Sequence, residues 1–229
     1  MTCEITGISS MATRLILAEL AGHYERRTGC RAAIVSMGGV EAARLVRAGE
    51  RTDVVLLASD VIGQLESEGH VLAGSRVDFA RSGIAIAVRA GTSRPSIRDE
   101  EAVKQAILAA RKISYSTGPS GNHLQRLWTR WGLVDVIAER IVQAPPGVPV
   151  GALVARGDAD LGFQQLSELM NVPGIEVLGP LPEAIQSVTV FSAAVSRATT
   201  KADEARGFAT YLASLETAEV KRRNGMEPA

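Results

Sequence analysis

The chain has 229 residues, enough for a sizeable core arranged as one domain or as two small ones. Lys and Arg balance Asp and Glu at 25 each, so the formal net charge is zero. No basic block stands out, which argues against nucleic acid as the main partner. A hydrophobic fraction of 46% excludes a disordered chain, and no apolar run approaches the roughly 18 residues of a membrane helix, so the protein is not expected to be membrane-embedded.

The first residues, Met1-Thr2-Cys3-Glu4-Ile5-Thr6-Gly7-Ile8, go straight into a strand-like pattern without a basic or apolar leader. The sequence is therefore read either as a cytoplasmic protein that starts at Met1 or as a periplasmic one whose leader was removed. Cys3 and Cys30 are too few for a disulfide framework or a zinc site. Both start predicted strands and so can be neighbours; the reading adopted is two free, partly buried thiols.

Strands and helices then alternate, the pattern of an α/β protein with a mostly parallel sheet. A strand over Glu4 to Ile8 leads to Ser9-Ser10, expected to cap a helix that runs to Arg27 and ends at Gly29. Arg31 to Val35 is a strand, Ser36-Met37-Gly38-Gly39 a small-residue turn, and Val40 to Ala48 a helix. Asp53 to Ala58 reads as a buried strand, with Ser59-Asp60 capping the next helix, and Gly83 to Val88 as another strand. Ser96, Asp99 and Glu100 open a helix that ends near Ala110. Lys112 to Ser116 is a strand running into Gly118-Pro119-Ser120-Gly121-Asn122-His123 and an amphipathic helix bearing Leu124, Leu127, Trp128 and Trp131. Pro145-Pro146-Gly147-Val148-Pro149 is a stiff turn before a short helix, Val150 to Arg156. Asp160 to Phe163 is a short strand ending in Gln164-Gln165, read as a loop pair or as anion donors, and Glu176 to Leu178 is a further strand. Val188 to Val195 is an apolar strand, followed by helices over Asp203–Ser214 and Glu216–Arg223.

Three strand-to-helix turns share one chemistry. Ser9-Ser10, Ser36 to Gly39 and Pro119 to Asn122 each present hydroxyls and backbone N–H groups at a helix start, where an anion is well held. In open α/β sheets such turns collect beyond the carboxyl ends of the strands. The competing reading makes Ser and Asn simple helix caps. His123 can donate to an anion or move a proton, or it can be a packing histidine. No metal-binding, Walker or dinucleotide motif is present, and no cofactor is expected.

Nearly the whole chain resembles the molybdate-binding-like branch of periplasmic solute-binding proteins. The carriers are Tyr24 to Gly29 (YERRTG), Ala48 to Val54 (AGERTDV), Gly74 to Arg81 (GSRVDFAR), Pro119-Ser120-Gly121, Val154 to Gly162 (VARGDADLG) and Asn224 to Pro228 (NGMEP). The resemblance implies two α/β lobes, residues 1–82 with 190–229 and residues 83–189, joined by two crossing hinge strands in a type 2 periplasmic-binding-protein-like fold. It implies a small anion, an oxyanion or a di- or tricarboxylate, held in an interlobe cleft, with an ABC permease as partner. Carried over by position, the contacts fall on Ser9 and Ser10, on the Ser36 to Gly39 turn with Met37, Gly38 and Gly39, and on Ser120, Gly121, Gly147 and Gln165; Asn122, His123 and Gln164 are added as candidate contacts particular to this chain. The chain departs from the molybdate pattern in lacking a tyrosine at Gln165 and in carrying His123 where an aliphatic or aromatic residue is usual. The run Phe163-Gln164-Gln165-x-Ser167-Glu168 is similar to aconitate isomerase, an enzyme on the same scaffold. That alternative needs a base for an allylic proton, His123 or Glu168, and donors for the dienolate carboxylates.

Overall fold

The computed structural model describes every residue except Met1, Thr2 and Pro146, so the first two residues of the N-terminal strand pattern and one proline of the 145–149 turn lie outside the described residues. In chain order the elements are β1 (Glu4–Ser10), a 3-10 turn, α1 (Arg14–Thr28), β2 (Arg31–Met37), α2 (Gly39–Arg47), β3 (Val54–Ala58), α3 (Ser59–Ser67), β4 (Val77–Arg89), α4 (Glu100–Ala109), β5 (Ile113–Tyr115), α5 (Pro119–Arg130), α6 (Val134–Ile137), β6 (Ile141–Gln143), α7 (Val150–Arg156), β7 (Leu161–Gln165), α8 (Leu166–Leu169), β8 (Ile175–Pro180), β9 (Val188–Val195), α9 (Ala202–Ala213), α10 (Ala218–Arg223) and β10 (Glu227–Pro228). The protein is α/β, as its alternating pattern implies. It divides into two compact units, Met1–Arg81 with Thr189–Ala229, and Ser82–Val188. Two strands carry the chain between them: β4 passes the division after Arg81, and β9 passes it after Val188.

In the first unit the strand order is β2-β1-β3-β9-β4, with β1 parallel to β2 and β3, β9 antiparallel to β3, and β10 antiparallel to the start of β4. All five residues of β3 are buried, because both faces of the sheet are covered. Val54 and Leu56 pack with Leu17 and Leu20 of α1 and Phe208 and Leu212 of α9. Val55 and Leu57 pack on the other face with Val46 of α2 and Ile62 and Leu65 of α3. Asp53 holds the amino end of this strand. Its carboxylate accepts from the Thr6 N–H at 2.8 Å, the Thr6 hydroxyl at 3.1 Å and the Thr199 hydroxyl at 2.5 Å.

The cysteines correct the sequence reading: Cys3 and Cys30 form a disulfide, with Cα atoms 4.5 Å apart. The parallel register that sets Glu4 against Arg31 places the residues just before them side by side, and that register is a long-range property spacing alone does not reveal. The bridge closes a loop across a separation of 27 residues, which in the chain-entropy picture is worth about 3.5 kcal/mol at 25 °C. Reduction with dithiothreitol is expected to lower the urea midpoint accordingly, and Cys3→Ala/Cys30→Ala should reproduce the shift and abolish its dependence on reductant.

In the second unit β4 is flanked by β7 and β8, both antiparallel to it, and β5 lies parallel between β7 and β6. Ile84, Ile86 and Val88 of β4, Ile113 and Tyr115 of β5, and Leu124, Leu127 and Trp128 of α5 form the main core. Trp128 meets Tyr115 edge to face, with ring centroids 5.1 Å apart, which makes it a packing residue. α7 closes the other face through Val150, Leu153 and Val154.

Several local expectations are corrected. Ser9 and Ser10 end β1, held there by pairing with Ser36 and Met37; Ser10 stands at the N-cap position of the 3-10 turn that precedes α1, but its side chain makes no capping hydrogen bond, and Ser9 caps nothing. Ser36 and Met37 likewise belong to β2, so the turn before α2 shrinks to Gly38. Ser59 and Asp60 are the first residues of α3, whose N-cap is Ala58. Of the residues read as opening α4, Asp99 is the cap, accepting from the Ala102 N–H at 2.8 Å. The strand expected from Gly83 begins six residues earlier, at Val77, because it runs through both units. Gln164 and Gln165 are not a loop pair but the buried end of β7. The short elements α6, β6, α8 and β10 carry no periodicity long enough to read.

Candidate functional site

In the first unit the carboxyl ends of the parallel strands β1 and β2 bring hydroxyls and a helix start together. Ser9 is fully buried, and its Oγ lies 2.7 Å from Ser36 Oγ. Ser10 Oγ lies 3.5 Å from Thr13 Oγ1, which also donates to the Ser10 carbonyl at 3.1 Å. Gly39 opens α2 against Ser10: a β-carbon there would sit 3.8 Å from the Ser10 Cβ. No side chain caps α2, whose first intrahelical bond runs from Ala42 to Gly38, so the N–H groups of Gly39, Val40 and Glu41 have no partner within the helix. Met37 is half-buried and packs into the core beneath α2 and α3.

The second unit repeats the arrangement at the carboxyl ends of β5 and β7. Ser116 Oγ lies 3.0 Å from Ser120 Oγ, and Ser120 is buried. Helix α5 has Gly118 as N-cap without a side-chain cap, and Pro119, which has no N–H, at its first position. Its N-terminal donors are therefore the Ser120 and Gly121 amides. A β-carbon on Gly121 would sit 1.8 Å from the Ser116 carbonyl oxygen, so only glycine lets the helix start approach the strand end this closely.

β5 and β7 are parallel with Tyr115 opposite Phe163, which puts Gln164 and Gln165 at the same strand ends as Ser116. Both are buried. The Gln164 carboxamide is engaged at both ends: Oε1 accepts from the Val150 N–H at 2.9 Å, and Nε2 donates to Glu168 Oε1 at 2.7 Å. The Glu168 carboxyl is enclosed although the residue keeps some exposure. Burial pushes its pKa up to about 7, against the opposite pull of the Gln164 hydrogen bond. Beside it, the Ser167 hydroxyl is buried with no hydrogen-bond partner among the described residues.

Asn122 and His123 are placed differently from Ser120. Asn122 lies on the exposed face of α5, with Gln125, Arg126 and Thr129, around a shallow depression of about 370 Å³. His123 is half-buried, and its Nε2 lies 2.8 Å from the Ile185 carbonyl. A carbonyl only accepts, so this nitrogen carries the proton and Nδ1 holds the lone pair in the neutral ring. Gly147 is exposed in the turn before α7, in the left-handed conformation with φ of 80°. Among the described residues no group of three or more His, Cys, Asp or Glu could hold a metal ion, and no helix is long and apolar enough to cross a membrane. Sequence reasoning gave no role to Ser116, Ser167 or the Val150 amide. The i, i+4 spacing of Ser116 and Ser120 across a glycine turn is the one signal that pointed to any of them.

Two α/β units that exchange two strands, each with serine-flanked helix starts at parallel strand ends, define a solute-binding fold of the periplasmic-binding-protein class. The family described as bacterial extracellular solute-binding protein matches residues 5–227, and the chain belongs to it. An aconitate isomerase from Pseudomonas sp is 38% identical over 230 residues, spanning 98% of this chain and 87% of that protein. The molybdate-binding protein ModA of Azotobacter vinelandii is 26% identical over 185 residues, spanning 76% of this chain and 71% of that protein. The solved periplasmic molybdate-binding protein of Azotobacter vinelandii shares the fold with a TM-score of 0.80 at 23% identity, covering 97% of this chain and 98% of that one.

Proposed function

We propose that this protein binds a small organic anion, a di- or tricarboxylate, as a solute-binding protein working with an ABC permease. The observation that carries the reading is the repeated construction: in each unit a helix start without a side-chain cap lies beside a serine pair whose hydroxyls touch. Each unit offers its own candidate donors: Ser9, Ser10, Gly38 and Gly39 in the first, and Ser120, Gly121 and Gln165 in the second. The 38% identity to an aconitate isomerase across the chain favours a polycarboxylate over molybdate. The disulfide fits an oxidising compartment, and hence a periplasmic location. A thermal-shift series over molybdate, sulfate, citrate, cis-aconitate and trans-aconitate tests the reading. A polycarboxylate at 100 times its dissociation constant should add about 2.7 kcal/mol, whereas a shift with molybdate alone would assign the site to an oxyanion.

A second reading is isomerisation of an unsaturated polycarboxylate such as aconitate. Glu168 favours it: a carboxyl that titrates near neutral pH suits a general base, and it stands one turn from Gln164 at the strand ends. Glu168 would take the allylic proton and return it at the other end of the allylic system, while the N–H groups hold the dienolate carboxylates. Incubation with trans-aconitate, followed by proton NMR for the cis isomer, is expected to show turnover. Binding without turnover leaves the solute-binding reading alone.

A further inference from the structure

We propose that Gln164 is a positioning residue whose carboxamide, anchored on the Val150 amide, aims and tunes the Glu168 carboxylate. The inference rests on the isomerase reading for its functional meaning, but the linkage itself stands on geometry. Gln164 is 2% exposed, so its carboxamide is held by protein partners and not by solvent. Val150 is the first residue of α7, and its N–H has no partner within that helix. Gln164 Oε1 takes that N–H at 2.9 Å, which settles the orientation of the amide and leaves Nε2 facing Glu168 at 2.7 Å. A carboxamide could otherwise flip and present oxygen to the carboxylate; the Val150 donor forbids this.

Among the described residues, the charges on the elements packed around α8 are few. β7 carries none, α7 carries only Arg156, exposed and paired with Asp158, β8 only Glu176, paired with Arg94, and β4 within this unit only the exposed Arg89. The Gln164 hydrogen bond is therefore the local interaction that favours the ionised carboxylate, opposed by burial. Without it, Glu168 would remain protonated to higher pH and lose its fixed direction.

The test titrates the side-chain carboxyl carbon of Glu168 by NMR in glutamate-labelled protein, the resonance being assigned by its loss in Glu168→Gln. Gln164→Leu removes both hydrogen bonds and is expected to move the Glu168 midpoint up by about one pH unit. Val150→Pro is the second variant: proline is accommodated at a first helical position, and it deletes the N–H that fixes the amide while also changing the buried Val150 side chain. It should move the midpoint the same way by less. With trans-aconitate as substrate, the rising limb of kcat should follow these midpoints while KM stays unchanged. A Glu168 midpoint that stays put in both folded variants overturns the proposal. A midpoint that moves in a protein that does not turn over trans-aconitate upholds the linkage and removes the isomerase reading.

Discussion

Glu168→Gln is expected to make the protein more stable at pH 8, not less. The sign follows from the two protonation states. The unfolded carboxyl titrates near 4.5, the folded one near 7. Between those values the folded state holds a proton that the unfolded state has released, so stability falls as pH rises through this window, and the deficit is complete above it. At about 1.4 kcal/mol per pH unit the deficit is on the order of 3 kcal/mol, which the neutral carboxamide of glutamine avoids. In a chain of this size that corresponds to roughly 6–12 °C in melting temperature. Below pH 4 both proteins carry a neutral group here and their stabilities should converge. Thermal unfolding of the pair from pH 4 to 8.5 measures this; a difference that does not vary with pH would mean that Glu168 titrates normally. The same variant separates the two functions. Removing a negative charge should tighten anion binding at pH 8, whereas loss of a general base should cost about 10²–10⁴-fold in turnover.

The second large effect is expected from a single methyl group. Gly121→Ala puts its β-carbon 1.8 Å from the Ser116 carbonyl oxygen and 2.9 Å from both the Ser116 carbonyl carbon and Tyr115 Cδ2. The obstacle is backbone, which no rotamer change can relieve, so α5 must lift off the end of β5. That opens the Tyr115–Trp128 contact and separates Ser120 from Ser116. A cost of about 3–5 kcal/mol is expected, read as a lowered denaturation midpoint and a loss of the near-ultraviolet signal of Trp128. Gly39→Ala adds the same atom in the matching turn of the first unit, where its nearest neighbour would be Ser10 Cβ at an ordinary 3.8 Å. Stability there should be unchanged or raised by up to about 1 kcal/mol, because alanine favours a helix. Anion affinity should nevertheless fall if the ligand sits on the α2 start. Equal destabilisation by both variants would show that the two helix starts are packed alike, contrary to the structure.

Much of the architecture was legible because it is local. The run Val54 to Ala58 reads as a buried strand from its composition, and Gly118-Pro119 reads as a helix entrance from backbone rules that need no tertiary contact. The same rules misread Ser9 as a cap and Ser36 as a turn residue, because a serine before a helix looks the same whether the strand stops before it or runs through it. Strand pairing decided that, and pairing is set by partners 27 residues or more away in sequence. The candidate site divided in the same way. Ser120 and Gly121 were visible as small residues at a turn, but the Ser116 partner and the outward placement of Asn122 depend on how α5 lies against β5.

The α/β class, the order of the longer strands and helices, and the glycine-proline entrance to α5 could be read from residues a few positions apart. Folding was needed to show that Cys3 and Cys30 are joined, that Gln164 lies in β7 between an amide donor and a carboxylate, and that burial pushes the Glu168 pKa up to about 7. One cause underlies all three. Register, desolvation and hydrogen-bond partnership belong to groups distant in sequence that meet only once the chain has folded, and a side chain's chemistry is set by what surrounds it.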